Sequence, residues 1–164
     1  MSNYNFYAPT RVIFGAGALS ELHKQSMPGK KALLVISNGK STIKNASLAR
    51  TEEELKKAGC DYVLFNKVAA NPLKSVVEEG AQSARDNGCD FVVALGGGSV
   101  MDAAKVMAML APQPSDDLWD YASGFSGKAK PLEKDPLPWI AITTSAGTGS
   151  EVDQAGVITN PDTN

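Results

Sequence analysis

Short unbroken runs of apolar residues alternate along this chain with longer stretches in which apolar residues recur every three or four positions. The short runs predict strands at residues 11–14, 32–36, 62–65, 91–95 and 138–142. Run 32–36 (Ala-Leu-Leu-Val-Ile) has no polar position, as expected of a strand covered on both faces. The longer stretches predict helices at residues 19–27, 48–58, 71–87 and 99–110. Pro28-Gly29, Gly59 and Gly88 mark helix ends. Asn71 and Pro72 are read as N-cap and first position of the third helix, a preferred pair. In the last helix Val100, Ala103, Ala104, Met107 and Leu110 form the face toward the sheet, Asp102 and Lys105 face away, and Met101, Met107 and Met109 read as core filling.

Strands alternating with helices predict an α/β fold: a doubly wound, mainly parallel sheet with right-handed crossovers. One long connection, residues 111–137, interrupts the pattern and carries four prolines; loops of that length are functional or disordered. The chain's end, Asn-Pro-Asp-Thr-Asn, has turn composition and gives the expectation of a fragment cut from a longer chain.

Composition narrows the function classes. The 164 residues suit one domain that needs no staples. A net charge of -2 supplies neither a basic footprint for nucleic acid nor a polybasic membrane anchor. No signal peptide and no run long enough to span a bilayer is visible, so a cytoplasmic location is expected. Cys60 and Cys89 show no CxxC and read as reduced thiols. His23 is the only histidine; it reads as solvated, and with no second histidine and no cysteine pair no ordinary transition-metal site can be built.

The sharpest chemical signal is Gly96-Gly97-Gly98-Ser99, at a strand end and a helix start. Ligands of doubly wound sheets bind there. The first helical N–H groups are unpaired and the helix dipole favours an anion, and bare glycines let a phosphate approach. Ser99 and Asp102 also read as a capping box, although a capping box does not require three glycines before it. A second loop, Thr143-Thr144-Ser145-Ala146-Gly147-Thr148-Gly149-Ser150, follows the next strand and is expected on the same rim. Two such loops can grip one ligand from two sides. Gly15-Ala16-Gly17 has Ser20 where a dinucleotide fingerprint needs Gly. Gly39-Lys40-Ser41 lacks the upstream Gly of a P-loop, since Leu34 stands there. Asn38, Gly39 and Lys40 end the second predicted strand; no carboxylate is present to hold an adenosine 2′-hydroxyl and Lys40 is near, which leans towards NADP(H) over NAD(H). A plain Asn-Gly turn is the alternative.

The motifs GGGSVMDAAK, ITTSAGTGSEV and VIFGAGALSEL, in that spacing, resemble the N-terminal portion of the iron-dependent, group III alcohol dehydrogenases. The resemblance implies a Rossmann-like, dehydroquinate synthase-like N-terminal domain over residues 1–164, with the family's helical metal-binding domain absent. It implies that Gly97, Gly98 and Ser99 hold the pyrophosphate of NAD or NADP, that Asp102 contacts the cofactor beyond it, and that Asn71 lines the adenosine-ribose side. Thr144, Ser145 and Thr148 would close over the cofactor. The divalent metal, usually iron, would bind beyond Asn164, so the chain alone is expected not to turn over alcohol. Asn38 falls where NAD-using members tend to carry Asp; Thr143 and Asp153 stand where many members have Pro and Thr. A small alcohol or aldehyde substrate and a homodimer through the N-terminal strand, residues 4–7, are implied as well. Two other readings remain open: a dehydroquinate synthase-like or glycerol dehydrogenase-like cofactor domain, and a non-catalytic nucleotide-binding module.

Overall fold

Four strands form one fully parallel sheet, in the spatial order Asp61–Val68, Lys31–Ser37, Phe91–Gly96 and Trp139–Thr143. The computed structural model describes residues 7–124 and 126–163. The strands are β1 (Lys31–Ser37), β2 (Asp61–Val68), β3 (Phe91–Gly96) and β4 (Trp139–Thr143). The helices are α1 (Ser41–Lys44), α2 (Ser47–Lys57), α3 (Lys74–Asp86) and α4 (Gly98–Leu110), with 3-10 helices at Ala18–Lys24 and Leu118–Asp120.

The apolar runs become the two central strands because both of their faces are covered. Every residue of β3 is buried, as are the five central residues of β1. On one face, Leu33, Val35, Val92 and Ala94 pack with Val77, Ala81 and Ala84 of α3 and Val100, Ala103, Ala104 and Met107 of α4. On the other, Ala32, Leu34, Ile36, Val93 and Leu95 pack with Leu22, Leu48 and Leu55. This is the doubly wound, Rossmann-like arrangement expected of alternating strands and helices. α3 and α4 approach closely at Gly80, where a Cβ would strike the Met107 side chain. Met101 and Met107 are fully buried. Cys60 and Cys89 are buried free thiols, and burial pushes both up from the usual thiol range. Among the described residues no helix is long and apolar enough to cross a membrane.

Several local expectations are corrected. Residues 11–14 form no strand. Val12, Ile13 and Phe14 are exposed, Phe14 by 97%, because no neighbouring strand offers them a ladder. Ile13 and Phe14 line, with Arg50, Leu19 and Leu22, a cleft of about 670 Å³ beside β4. The amphipathic stretch after them winds as a 3-10 helix. Its His23 is half-buried and partnered rather than freely solvated: Nδ1 lies 2.6 Å from Oε2 of the buried Glu54, which ties the 3-10 helix to α2. Asn71 does not cap α3. It adopts a positive φ of 54°, Leu73 is the extended N-cap residue, and the Pro72 carbonyl accepts from Thr159 N–H. Gly97, not Ser99, precedes α4, with no side-chain cap bond, so the capping box is not formed.

The long connection is neither bare nor loose. Asp120 is buried and accepts from Ser115, Lys128 and Lys130; the two ammonium groups hold its carboxyl well below the usual carboxylate range. Gln113 donates to the Lys134 carbonyl and accepts from Glu133 and Lys134 N–H. Pro-rich chain thus acquires order from two buried polar staples, whose groups would cost free energy if left unpaired.

Candidate functional site

The strand order reverses between β1 and β3, and in open α/β sheets ligands bind outside the carboxyl ends of the strands at that switch point. Parallel pairing puts the carboxyl ends of all four strands on one rim. β1 ends there in Asn38, Gly39 and Lys40, all exposed; Asn38 N–H reaches across to the Val68 carbonyl at 2.8 Å. The turn after β2 carries Asn71, also exposed. β3 delivers Gly96, Gly97, Gly98 and Ser99, and β4 delivers Thr144, Ser145 and Thr148.

The last two groups meet directly. Thr144 N–H donates to the Gly96 carbonyl at 3.0 Å, which extends the β3–β4 ladder by one bond. A Cβ on Gly97 would stand 2.7 Å from Ser145 Oγ, and one on Gly98 would stand 2.7 Å from Thr148 Cγ2. Gly98 is needed for this close approach, since a Cβ there would also stand 3.2 Å from Thr148 Cβ, whereas at Gly97 the Ser145 hydroxyl alone would have to turn aside. Gly96 has a separate reason, since its Cβ would strike Val100 within the first turn of α4 at 2.6 Å.

The electrostatics of the turn follow from the helix start. Val100 and Met101 N–H both reach back to the Gly97 carbonyl, at 3.0 and 3.1 Å. The N–H groups of Gly98 and Ser99 precede the first i−4 carbonyl, and no side chain caps them. Two donors and a helix dipole beneath two glycines, roofed by the Ser145 hydroxyl and the Thr148 side chain, suit an anion of phosphate geometry. Thr143 Oγ1 donates to the Ser145 carbonyl at 3.1 Å and shapes the roof from below.

Asp102 and Lys105 do not face away. Asp102 accepts from Ser150 Oγ through Oδ1 and from Val157 N–H through Oδ2. Lys105 Nζ donates to Asp153 Oδ1 and to the Ala155 carbonyl. Residues 150–159 are therefore a strap over α4 that the helical periodicity did not reveal. The available signal was the polar i, i+3 pair Asp102–Lys105 beside an acidic residue, Asp153, just after the hydroxyl loop. Gly15-Ala16-Gly17 lies apart, on the cleft beside β4.

Metal chemistry has no seat among these residues. Among the described residues no group of three or more His, Cys, Asp or Glu side chains could hold a metal ion, and His23 is engaged by Glu54.

The fold and the rim together define a doubly wound Rossmann-like domain with a glycine turn at its switch point. Residues 9–164 match the family described as iron-containing alcohol dehydrogenase, and the chain belongs to that family. It is 34% identical over 163 residues to a probable NADH-dependent butanol dehydrogenase 1 of Bacillus subtilis, covering 99% of this chain and 41% of that protein. It is 36% identical over 162 residues to a 1,3-propanediol dehydrogenase of Citrobacter freundii, covering 98% and 40%. The crystal structure of NADH-dependent butanol dehydrogenase A from Thermotoga maritima superposes with a TM-score of 0.87 at 32% identity, covering 99% of this chain and 40% of that one. The chain spans about two fifths of the length of these relatives.

Proposed function

We propose that this chain is the nicotinamide-dinucleotide-binding domain of a metal-dependent alcohol dehydrogenase that interconverts small alcohols with aldehydes or ketones. The observation that carries the reading is the contact of two rim loops, Gly97 beneath Ser145 and Gly98 beneath Thr148, at the switch point of a parallel sheet. Family membership and the relatives' printed cofactor, NADH, support it.

In this reading the pyrophosphate rests on the N–H groups of Gly97, Gly98 and Ser99. The α4 dipole offsets its charge, and Gly96 keeps the first helical turn tight beneath it. Thr144, Ser145 and Thr148 hold it from above and exclude water. Asn38, Gly39 and Lys40 take the adenosine ribose, with Asn71 on the same side. When bound, the dinucleotide accepts the carbinol hydride of the alcohol or returns it to the carbonyl. The residues present do not fit a catalytic metal, so no step is assigned to one in this chain, and the 164-residue chain binds cofactor without turning over alcohol. Asn38 offers no carboxylate to a 2′-hydroxyl and Lys40 offers a cation to a 2′-phosphate, so NADPH binds at least as well as NADH. A cytoplasmic location fits this substrate class. The dimer expected through residues 4–7 falls, apart from Tyr7, outside the described residues.

The test is a fluorescence titration of the purified chain with NADH and NADPH. Saturation by both supports the reading; no response to either at about 1 mM overturns it. A weaker response to NADPH than to NADH overturns the roles given to Asn38 and Lys40. Metal-dependent oxidation of an alcohol by the chain alone would overturn its assignment as a binding domain only.

A further inference from the structure

Residues 150–159 run as a strap from the hydroxyl loop across α4 to the start of α3. Ser150 Oγ donates to Asp102 Oδ1, and Val157 N–H donates to Asp102 Oδ2 at 3.1 Å. Lys105 Nζ holds Asp153 and the Ala155 carbonyl and lies 3.5 Å from Asp102 Oδ1. Its side chain is only 8% exposed, and its ammonium sits 5.8 Å from the centre of the Trp139 ring. Between these anchors Gly156 presses on the helix: a Cβ there would stand 2.7 Å from Val106 Cγ2 and 3.0 Å from the Asp102 carbonyl. At the far end Thr159 exchanges backbone bonds of 2.9 Å with Pro72 and Lys74.

A nearly buried ammonium is costly unless it is paired, so the arrangement is held to one geometry. α4 consequently carries both halves of the site. Its N-terminus supplies the glycine seat, and Asp102 and Lys105, the next polar positions along it, hold the segment that continues the roof. Ser150 is the joint: it is buried, it grips Asp102, and it lies two residues after Thr148.

We propose that Asp102 and Lys105 are positioning residues, which set the height of Ser145 and Thr148 over Gly97 and Gly98 by clamping residues 150–157 to α4. This rests on the dinucleotide reading above. Asp102 then acts on a bound pyrophosphate through Ser150 and the strap, and Asp153 is its counterweight through Lys105.

The experiment uses the 164-residue chain, with NADH as probe and amide hydrogen exchange as a second readout. Ser150→Ala leaves the Asp102 carboxylate intact and removes only the hydroxyl it grips. Ser150→Ala and Asp102→Asn should each weaken NADH by about tenfold. The double variant should be no weaker than the worse single one, because both break one link. Asp153→Asn should give a smaller loss. In each variant the amides of residues 144–157 should exchange faster, while those of β1 and β3 stay protected in a chain that still melts cooperatively. A loss with Asp102→Asn but none with Ser150→Ala means that Asp102 touches the ligand itself and overturns the proposal. Unchanged exchange over residues 144–157 in the Ser150 and Asp102 variants overturns it without reference to any ligand. Failure of the unaltered chain to bind NADH strikes the underlying reading instead, and the exchange data still decide whether the clamp exists.

Discussion

Gly15-Ala16-Gly17 and Gly96-Gly97-Gly98 both follow a short apolar run and both precede an amphipathic stretch. Around Gly96–Gly98 the chain becomes a fully buried strand and a 13-residue α-helix. Around Gly15–Gly17 it becomes exposed extended chain and a 7-residue 3-10 helix. The difference lies in the neighbours. β3 is flanked by β1 and β4, which supply two ladders and two covered faces. Residues 11–14 have neither. A glycine turn holds its N–H groups toward one place only where the strand before it is fixed.

The largest test of that contrast is burial. Leu95 is fully buried and Ile13 is 44% exposed. Leu95→Ala should cost about 2–5 kcal/mol, a large share of the stability of a domain this size, whereas Ile13→Ala should stay within about 0.5 kcal/mol. Urea unfolding of both variants checks it; equal costs would mean that residues 11–14 are docked in solution and would erase the contrast.

The glycines give a sharper test with a smaller effect on folding. Gly98→Ala adds a methyl against Thr148 but improves helix propensity at the first turn of α4. Stability should change by less than about 1 kcal/mol, while NADH binding weakens by about tenfold. Gly17 has a positive φ of 78° with open space around it. Gly17→Ala should cost about 1 kcal/mol in backbone strain and leave NADH binding untouched. A Gly17→Ala variant that loses NADH affinity would place the ligand on the wrong turn.

The same contrast explains what could be read from the sequence. Runs 32–36 and 91–95 were legible because a strand covered on both faces carries no polar position. The glycine turn and the hydroxyl loop were legible because their residue types are unusual beside regular elements, and parallel pairing then brought them to one rim. Residues 11–14 misled because apolar run and glycine stop are local signals, whereas a strand needs a partner. Asn71-Pro72 misled for a similar reason: the pair fits an N-cap, but the backbone bonds of Thr159 draw Pro72 and Leu73 into extended chain. The strap was invisible because its partners, such as Asp102 with Val157 and Lys105 with Asp153, lie about fifty residues apart. His23 looked solvated because its partner, Glu54, is 31 residues away.

That last pair provides the mildest test of the contrast, since it fastens the weakly held 3-10 helix to the body of the fold. The His23 hydrogen bond to Glu54, with Lys57 behind it, holds the Glu54 carboxyl down from 4.5 to about 2, against the opposing effect of burial. A carboxyl lowered by folding contributes stability that is complete above its unfolded value and is lost as the pH falls through the folded one. The contribution should therefore be intact at pH 6 and fade between about pH 4.5 and pH 2. Glu54→Gln should melt below the unaltered chain at pH 6, and the gap should narrow steadily towards pH 3. In that variant the amides of Ala18–Lys24 should exchange faster while those of α4 do not change. A gap of constant size across that range would mean that Glu54 contributes by packing alone, and that the N-terminal stretch is held by something other than this hydrogen bond.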